Sequence, residues 1–359
     1  MAQHMKAQGG KKSLSRRLCG GLAGLIILLL ALPQALSSAP KPLSIYFIDV
    51  EGGQATLFVS PSGGSMLVDT GWADHDSRDA RRIVAAARDA GVHQIDDLVI
   101  THYHADHVGG VPQLAALIPI RNFIDHGPLV ETSAEAKALY QAYLKARAKG
   151  HHIVATPGME IPVRGVHVVV LTAAGKHIDH SLPGGGKRNT YCPAKPGRVI
   201  DRSENAQSVG VLVSYGKFRM TDFGDLPTWP GEYGLVCPTN RIGQVEVYLT
   251  TQHAYAESGS AFLVDALRPI VVIANNGARK GGAAEALGVV QQSPGLEGFW
   301  DLHYSESADK KLNAQEPFIA NPSGSPDHGY WIKLTASPDG SFTVTNQRNG
   351  ETKTYHPRH

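Results

Sequence analysis

The sequence predicts an α+β fold in which two β-layers are flanked by helices. Three observations predict it: short apolar, β-branched runs recur along the chain, amphipathic helical stretches stand between several of them, and the C-terminal tail carries a hairpin signature.

The elements follow in order. Residues 44–50 alternate as a strand, Gly52-Gly53 turns the chain, and residues 55–60 and 65–69 supply two more strands, so an antiparallel meander opens the domain. Residues 76–90 then show helical patterning, with Asp76 or Ser77 as cap, Ile83, Val84 and Ala87 facing inward and Gly91 as stop. This crossover helix leads to a strand at 97–101 that runs directly into Thr101-His102-Tyr103-His104-Ala105-Asp106-His107-Val108-Gly109-Gly110. A second amphipathic helix spans 134–148, and residues 177–202, rich in Gly, Pro, Lys and Ser, read as a long loop that could border a site. Strands follow at 209–215, 217–223, 245–250 and 270–274, with a helix near 260–267 between the last two. The tail pairs 330–336 with 341–346 across Pro338-Asp339-Gly340, with a further strand signal after Asn349-Gly350.

The first 39 residues stand apart. Lys11, Lys12, Arg16 and Arg17 precede an apolar run from Leu22 to Leu32 that Pro33 interrupts, and small residues surround Ser37, Ser38 and Ala39. This pattern reads as an export leader, too short to span a bilayer comfortably, with the mature chain, residues 40–359, forming one domain outside the cytoplasm, periplasmic or secreted. An uncleaved anchor is the alternative, and Arg16-Arg17 leaves the export route open.

Composition limits the function classes. With 359 residues and 42% hydrophobic content the chain can bury a large core, so neither metal nor disulfide is needed merely to fold. The leader holds five of the 34 basic residues and none of the 32 acidic ones, which leaves the mature chain 29 − 32, near −3. Such a balance gives no electrostatic support for a nucleic-acid partner. Cys19 departs with the leader; Cys192 and Cys237 remain as an even pair in a compartment that favours oxidation and are expected to form a disulfide, with two buried free thiols as the alternative.

The chemistry concentrates at the end of the 97–101 strand. Three imidazoles and one carboxylate lie within six residues. His102 and His104, two apart on extended backbone, can point to one side and share a metal. The glycine-rich turn into a helix lets Asp106 and His107 project toward a second position, so the spacing suggests two adjoining metal sites.

This segment matches the H-x-H-x-D-H signature and resembles the metallo-β-lactamase superfamily, whose other motifs occur here in the same order. The resemblance implies a four-layer αββα sandwich. Leu67-Val68-Asp69-Thr70-Gly71 looks like the family's first motif, in which the aspartate, here Asp69, gives structural support and is not a ligand. Gly224-Asp225 resembles the motif whose aspartate bridges two metals, and Gln252-His253 the final histidine motif. Within the superfamily, Phe47-Ile48-Asp49-Val50-Glu51-Gly52-Gly53-Gln54-Ala55 looks most like the opening of the hydrolase domain of ComEC/Rec2-type competence proteins, without their membrane channel. That branch shows an Asn and a Ser in place of a third histidine at the first metal, matched by Asn205 and Ser208.

The resemblance therefore implies His102, His104 and Asp225 at a first metal, and Asp106, His107, Asp225 and His253 at a second. His177 or His180 could supply the missing ligand from the long loop. Gln252-His253-Ala254 departs from the branch's paired histidines and glycine, so the resemblance favours a phosphodiester while the altered motif and the slightly acidic mature chain argue for a smaller substrate than a nuclease takes.

The expected cofactor is one or two divalent metal ions, zinc first and manganese second, with iron compatible. The expected reaction is hydrolysis by a metal-activated water, with Asp106 orienting the water and accepting its proton. The expected substrate is a phosphodiester or another small ester-like compound, with β-lactams ranked below both. A binding or scaffold protein with a degenerate first site is the non-enzymatic alternative. Tyr255, Trp229, Trp300 and Trp331 read as packing residues and are given no role.

Overall fold

A computed structural model describes residues 41–73, 75–195, 200–324 and 328–358. The export leader expected over residues 1–39 lies outside the described residues. Among those described, no helix is long and apolar enough to cross a membrane.

Two nine-stranded sheets form the frame. In the first, Leu43–Phe47, Thr56–Val59 and Ser65–Val68 pair antiparallel as the expected meander. The helix Arg78–Asp89 then carries the chain across so that Ile95–Val99 joins Ser65–Val68 in parallel. The tail strands Ile332–Ala336, Phe342–Asn346 and Thr352–Tyr355 add antiparallel to the other side of Leu43–Phe47. In the second sheet, Phe218–Asp222, Val247–Leu249, Val271–Ala274 and Gly298–His303 run parallel in succession, while Gly210–Tyr215 and His167–Ala173 extend it antiparallel.

Strand periodicity explains why these sheets face each other. Ile45, Phe47, Met66 and Val68 share one buried cluster with Val168, Val170, Val211, Val213, Val247 and Ile273, so alternate residues of both sheets fill the space between them. The intervening residues Tyr46, Leu57, Leu67 and Leu98 pack with Ile83, Val84, Ala87 and Leu114 of the helices outside the first sheet. On the far side Leu212, Tyr248 and Val272 pack with Leu263 and Val264 of the helix Ala261–Leu267. The result is the four-layer αββα order.

The structure differs from the sequence reading at several elements. Ser77 precedes the first helix but makes no side-chain cap, because its own φ is 57°. Ser133 does cap Ala134–Arg147, accepting from Ala136 N at 3.0 Å. The strands Ile120–Asp125, His151–Val154, His167–Ala173 and Gly298–His303 and the helices Val111–Leu117 and Ala284–Gln292 were not anticipated. The 177–202 stretch is loop-like apart from two-residue pairings at Lys176–His177 and Lys187–Arg188. Cys192 and Cys237 are bridged, with Cα atoms 5.8 Å apart.

Candidate metal centre

Three turns, each at the C-terminal end of a strand, converge. The first follows Ile95–Val99 and enters the short helix Ala105–Val108. It can fold this tightly because Gly109 and Gly110 have no side chain: a Cβ on Gly110 would overlap the Thr70 carbonyl, and one on Gly109 would overlap that of Ala105. Thr70 N donates to His107 O at 2.8 Å and Gln54 N to Asp106 O at 3.1 Å, so the motif loop is tied to the loops after the first and third strands. The second turn, Gly224-Asp225, packs Gly224 on Thr101, and Gly224 O accepts from Gln252 N at 2.9 Å. The third holds Gln252, His253 and Ala254 at φ of 50°, 53° and 62°. Three consecutive non-glycine residues in the left-handed region are strained, a pattern that concentrates at functional sites.

Residues far apart in sequence meet there. His107 Nε2 lies 3.1 Å from His253 Nε2, 3.3 Å from Asp106 Oδ2 and 3.2 Å from Asp225 Oδ1. His253 Nε2 lies 3.1 Å from Asp106 Oδ2 and 3.3 Å from Asp225 Oδ1. These four donors converge closely enough to hold one cation. A second group, His102, His104 and Asp225, adjoins it: His102 Nε2 is 3.0 Å from His104 Nδ1 and 3.9 Å from Asp225 Oδ2. Asp225 offers one oxygen to each group, the arrangement a bridging carboxylate needs.

The chemistry of the donors points the same way. Asp225 Oδ1 and His253 Nδ1 are buried without a hydrogen-bond partner. Burial would push the Asp106 and Asp225 carboxyls up, but His107 and His253 beside them hold both well below the usual carboxylate range. Burial would lower the pKa of His107, yet Asp225, Asp106 and Asp69 outweigh it and hold it well above the ordinary value. Burial, reinforced by His107, pushes His102 well below. Carboxylates and imidazoles arranged so favour positive charge at their centre.

Supporting contacts fix which nitrogen faces inward. Asp69 Oδ2 accepts from Thr101 Oγ1 at 2.7 Å and stands 2.7 Å from His107 Nδ1, leaving Nε2 for the cluster. Glu131 Oε1 lies 3.1 Å from His104 Nε2, so His104 presents Nδ1. Glu204, fully buried, accepts from the backbone nitrogens of Tyr103 and Val130 and lies 3.0 Å from His126 Nε2, which pins the residue between the two histidines.

Asn205 and Ser208 stand beside the motif, since Val209 N donates to Thr101 O at 2.9 Å. Their side-chain oxygens, Asn205 Oδ1 and Ser208 Oγ, are buried and unpartnered. The loop histidines do not join: His177 Nδ1 is 2.8 Å from its neighbour's carbonyl, and His180 pairs with Asp179 at the surface. Trp300 and Trp331 pack as expected, whereas Tyr255 faces Lys280 close to the centre. Glu131, Glu204, His126 and Lys280 escaped sequence reasoning, because only tertiary contacts link them to the motif.

The family described as the Metallo-beta-lactamase superfamily matches residues 48–188 of this chain. The match supports that superfamily and spans the turn carrying His102 to His107; Asp225 and His253 lie beyond it and rest on geometry. A hydroxyacylglutathione hydrolase of Stenotrophomonas maltophilia (strain R551-3) is 29% identical over 103 residues, 28% of this chain and 37% of that protein. The chain thus matches little more than a third of that relative's length. Among solved structures, the metallo-beta-lactamase fold protein YhfI from Bacillus subtilis superposes over 73% of this chain and 96% of its own, with 11% identity and a TM-score of 0.46. CmlA, a diiron beta-hydroxylase from Streptomyces venezuelae, covers 66% of this chain and 45% of its own, with 14% identity and a TM-score of 0.36.

Proposed function

We propose that the chain is an exported metal-dependent hydrolase of the metallo-beta-lactamase superfamily that opens a phosphodiester or another small ester-like bond. The observation that carries this reading is the pair of adjoining donor groups joined by Asp225. His102, His104 and one Asp225 oxygen would hold a first ion, with Asn205 and Ser208 supplying weaker oxygen donors where a third imidazole would otherwise stand. Asp106, His107, His253 and the other Asp225 oxygen would hold the second. Zinc suits this nitrogen and oxygen set best, and manganese is next.

Divalent ions held there would supply Lewis-acid chemistry, activating water near neutral pH and polarising the scissile bond. The protein's own groups do the rest. Asp106 orients the attacking water and accepts its proton. Asp69 and Glu131 keep the ligand imidazoles in the required tautomers. Export is supported by the leader pattern before Pro40 and by the Cys192–Cys237 bridge. The Phe47 to Ala55 opening, similar to that of ComEC/Rec2-type competence proteins, favours the phosphodiester among the candidate bonds.

A screen of zinc- and manganese-loaded protein on phosphodiester, lactone, thioester and β-lactam reporters tests the reading. Hydrolysis that falls at least 100-fold in both His102→Ala and Asp106→Ala supports it. Turnover indifferent to both substitutions would overturn it, and full metal content without turnover would leave the non-enzymatic binding reading in its place.

A further inference from the structure

Resting on the hydrolase reading, we propose that Lys280, flanked by Trp72 and Tyr255, forms an anion-binding subsite at the edge of the metal centre, so that the substrate carries a negative charge beside the bond it loses. Lys280 is 174 residues from Asp106 in sequence, yet its Nζ lies 2.5 Å from Asp106 Oδ2 and donates to Gly52 O at 2.8 Å. Two of its three ammonium protons are thus taken. The third has no acceptor among the described residues, and the head lies 5.6 Å from the ring centres of both Trp72 and Tyr255. The side chain keeps 27% exposure, so the charge is walled by two rings but open to a ligand.

The loop is built to place this residue. Gly277 N donates to Lys280 O at 2.8 Å, closing a tight turn, and Gly282 N donates to His253 O at 2.9 Å. Gly281, at φ 75°, packs where any Cβ would overlap the His253 carbonyl. Gly52 and Gly277 approach so closely that a Cβ on either would stand 2.9 Å from the other loop's backbone. The segment that backs His253 therefore also aims Lys280, and only glycines permit the contact.

Charge balance decides what Lys280 is for. Asp106 Oδ2 is the same oxygen that faces His107 and His253. With a divalent ion held by that oxygen, the Asp106 charge would be met without Lys280, and the ammonium would have positive charge to spare beside the reacting centre. The faces of Trp72 and Tyr255 hold the ammonium beside the centre while leaving it open to an anion. A phosphodiester, or an ester bearing a carboxylate, meets this requirement; a neutral ester does not.

The test uses the whole zinc-loaded protein with Lys280→Ala and Lys280→Arg, and reads three quantities: metal content, calorimetric binding of inorganic phosphate, and kcat/KM on bis(4-nitrophenyl) phosphate against neutral 4-nitrophenyl acetate. Lys280→Ala is expected to keep its metal, to bind phosphate at least 10-fold more weakly and to lower the ratio of the two kcat/KM values at least 10-fold, while Lys280→Arg stays within about 3-fold of wild type in phosphate binding. Phosphate binding unchanged in Lys280→Ala would overturn the subsite and leave the hydrolase reading intact. Loss of metal in Lys280→Ala would also overturn it, by making the residue a support for Asp106. Lys280-dependent phosphate binding in a wild type that hydrolyses neither reporter would uphold the subsite and count against the hydrolase reading alone.

Discussion

Asp69 Oδ2 stands 2.7 Å from His107 Nδ1, and both side chains are fully buried. The carboxylate fixes a proton on Nδ1 and turns the Nε2 lone pair toward Asp106, Asp225 and His253, as outer carboxylates do for metal-bound histidines. Asp69→Asn, which places an amide donor against the same nitrogen, is expected to weaken zinc binding about 10- to 100-fold with little change in fold. Competition with a chromophoric chelator reads the affinity, and an unchanged constant would contradict this role.

Steric fit gives a second expectation. Gly281→Ala drives a Cβ into the His253 carbonyl at a backbone angle that alanine resists, so it should cost more than about 2 kcal/mol and release metal held by His253. Gly288, inside the helix Ala284–Gln292, has nothing within 4 Å of an added Cβ. Gly288→Ala should therefore stabilise by about 0.5–1 kcal/mol and leave metal content alone. Chemical denaturation of both variants measures the contrast.

His303 links the second sheet to the loop after the first strand, with Nε2 2.7 Å from Asp49 Oδ1 and 3.5 Å from Glu51 Oε1, while Arg82 also holds Asp49 at 2.8 Å. Burial disfavours its proton, but Asp49 and Glu51 outweigh that and raise its pKa to about 10. A raised histidine contributes stability that is complete below its unfolded pKa, near 6.5, and is lost as pH climbs through about 10. The stability gap between wild type and His303→Gln should shrink by roughly 1–3 kcal/mol between pH 6 and pH 10.5. Parallel curves from urea unfolding would refute the assignment.

The bridge between Cys192 and Cys237 closes a separation of 45 residues around the second sheet's loops. Cys192→Ser with Cys237→Ser should lower stability by about 2–4 kcal/mol while metal content stays near wild type, since neither cysteine belongs to a donor group. Calorimetry with and without reductant checks the first part and elemental analysis the second.

Much of this was legible in the sequence, and the reasons are local. A run such as Leu67-Val68-Asp69 or 97–101 announces a strand by its β-branched and apolar residues, and ligands two and four positions apart announce a shared turn. Two β-layers flanked by helices followed from where such runs fall, and the αββα order from the resemblance to the metallo-β-lactamase superfamily. The unexpected strand His167–Ala173 carries a continuous Val-Val-Val-Leu run, a signal that was present but buried on both faces and so without alternation. Ile120–Asp125 mixes Arg and Asn with its apolar residues and gives little periodicity. Contacts such as Gly52 with Gly277, Glu131 with His104 and Lys280 with Asp106 join loops distant in the chain, so no window of sequence contains them.

The most direct test of the metal centre is elemental analysis of protein equilibrated with zinc and freed of excess ion. Wild type should retain one tightly held ion at the Asp106, His107, Asp225 and His253 group and a second, more labile one at His102, His104 and Asp225, while His107→Ala should lose the first and Asp225→Asn should lose both. Wild-type protein that retains no zinc, or variants that retain as much as wild type, would contradict the account.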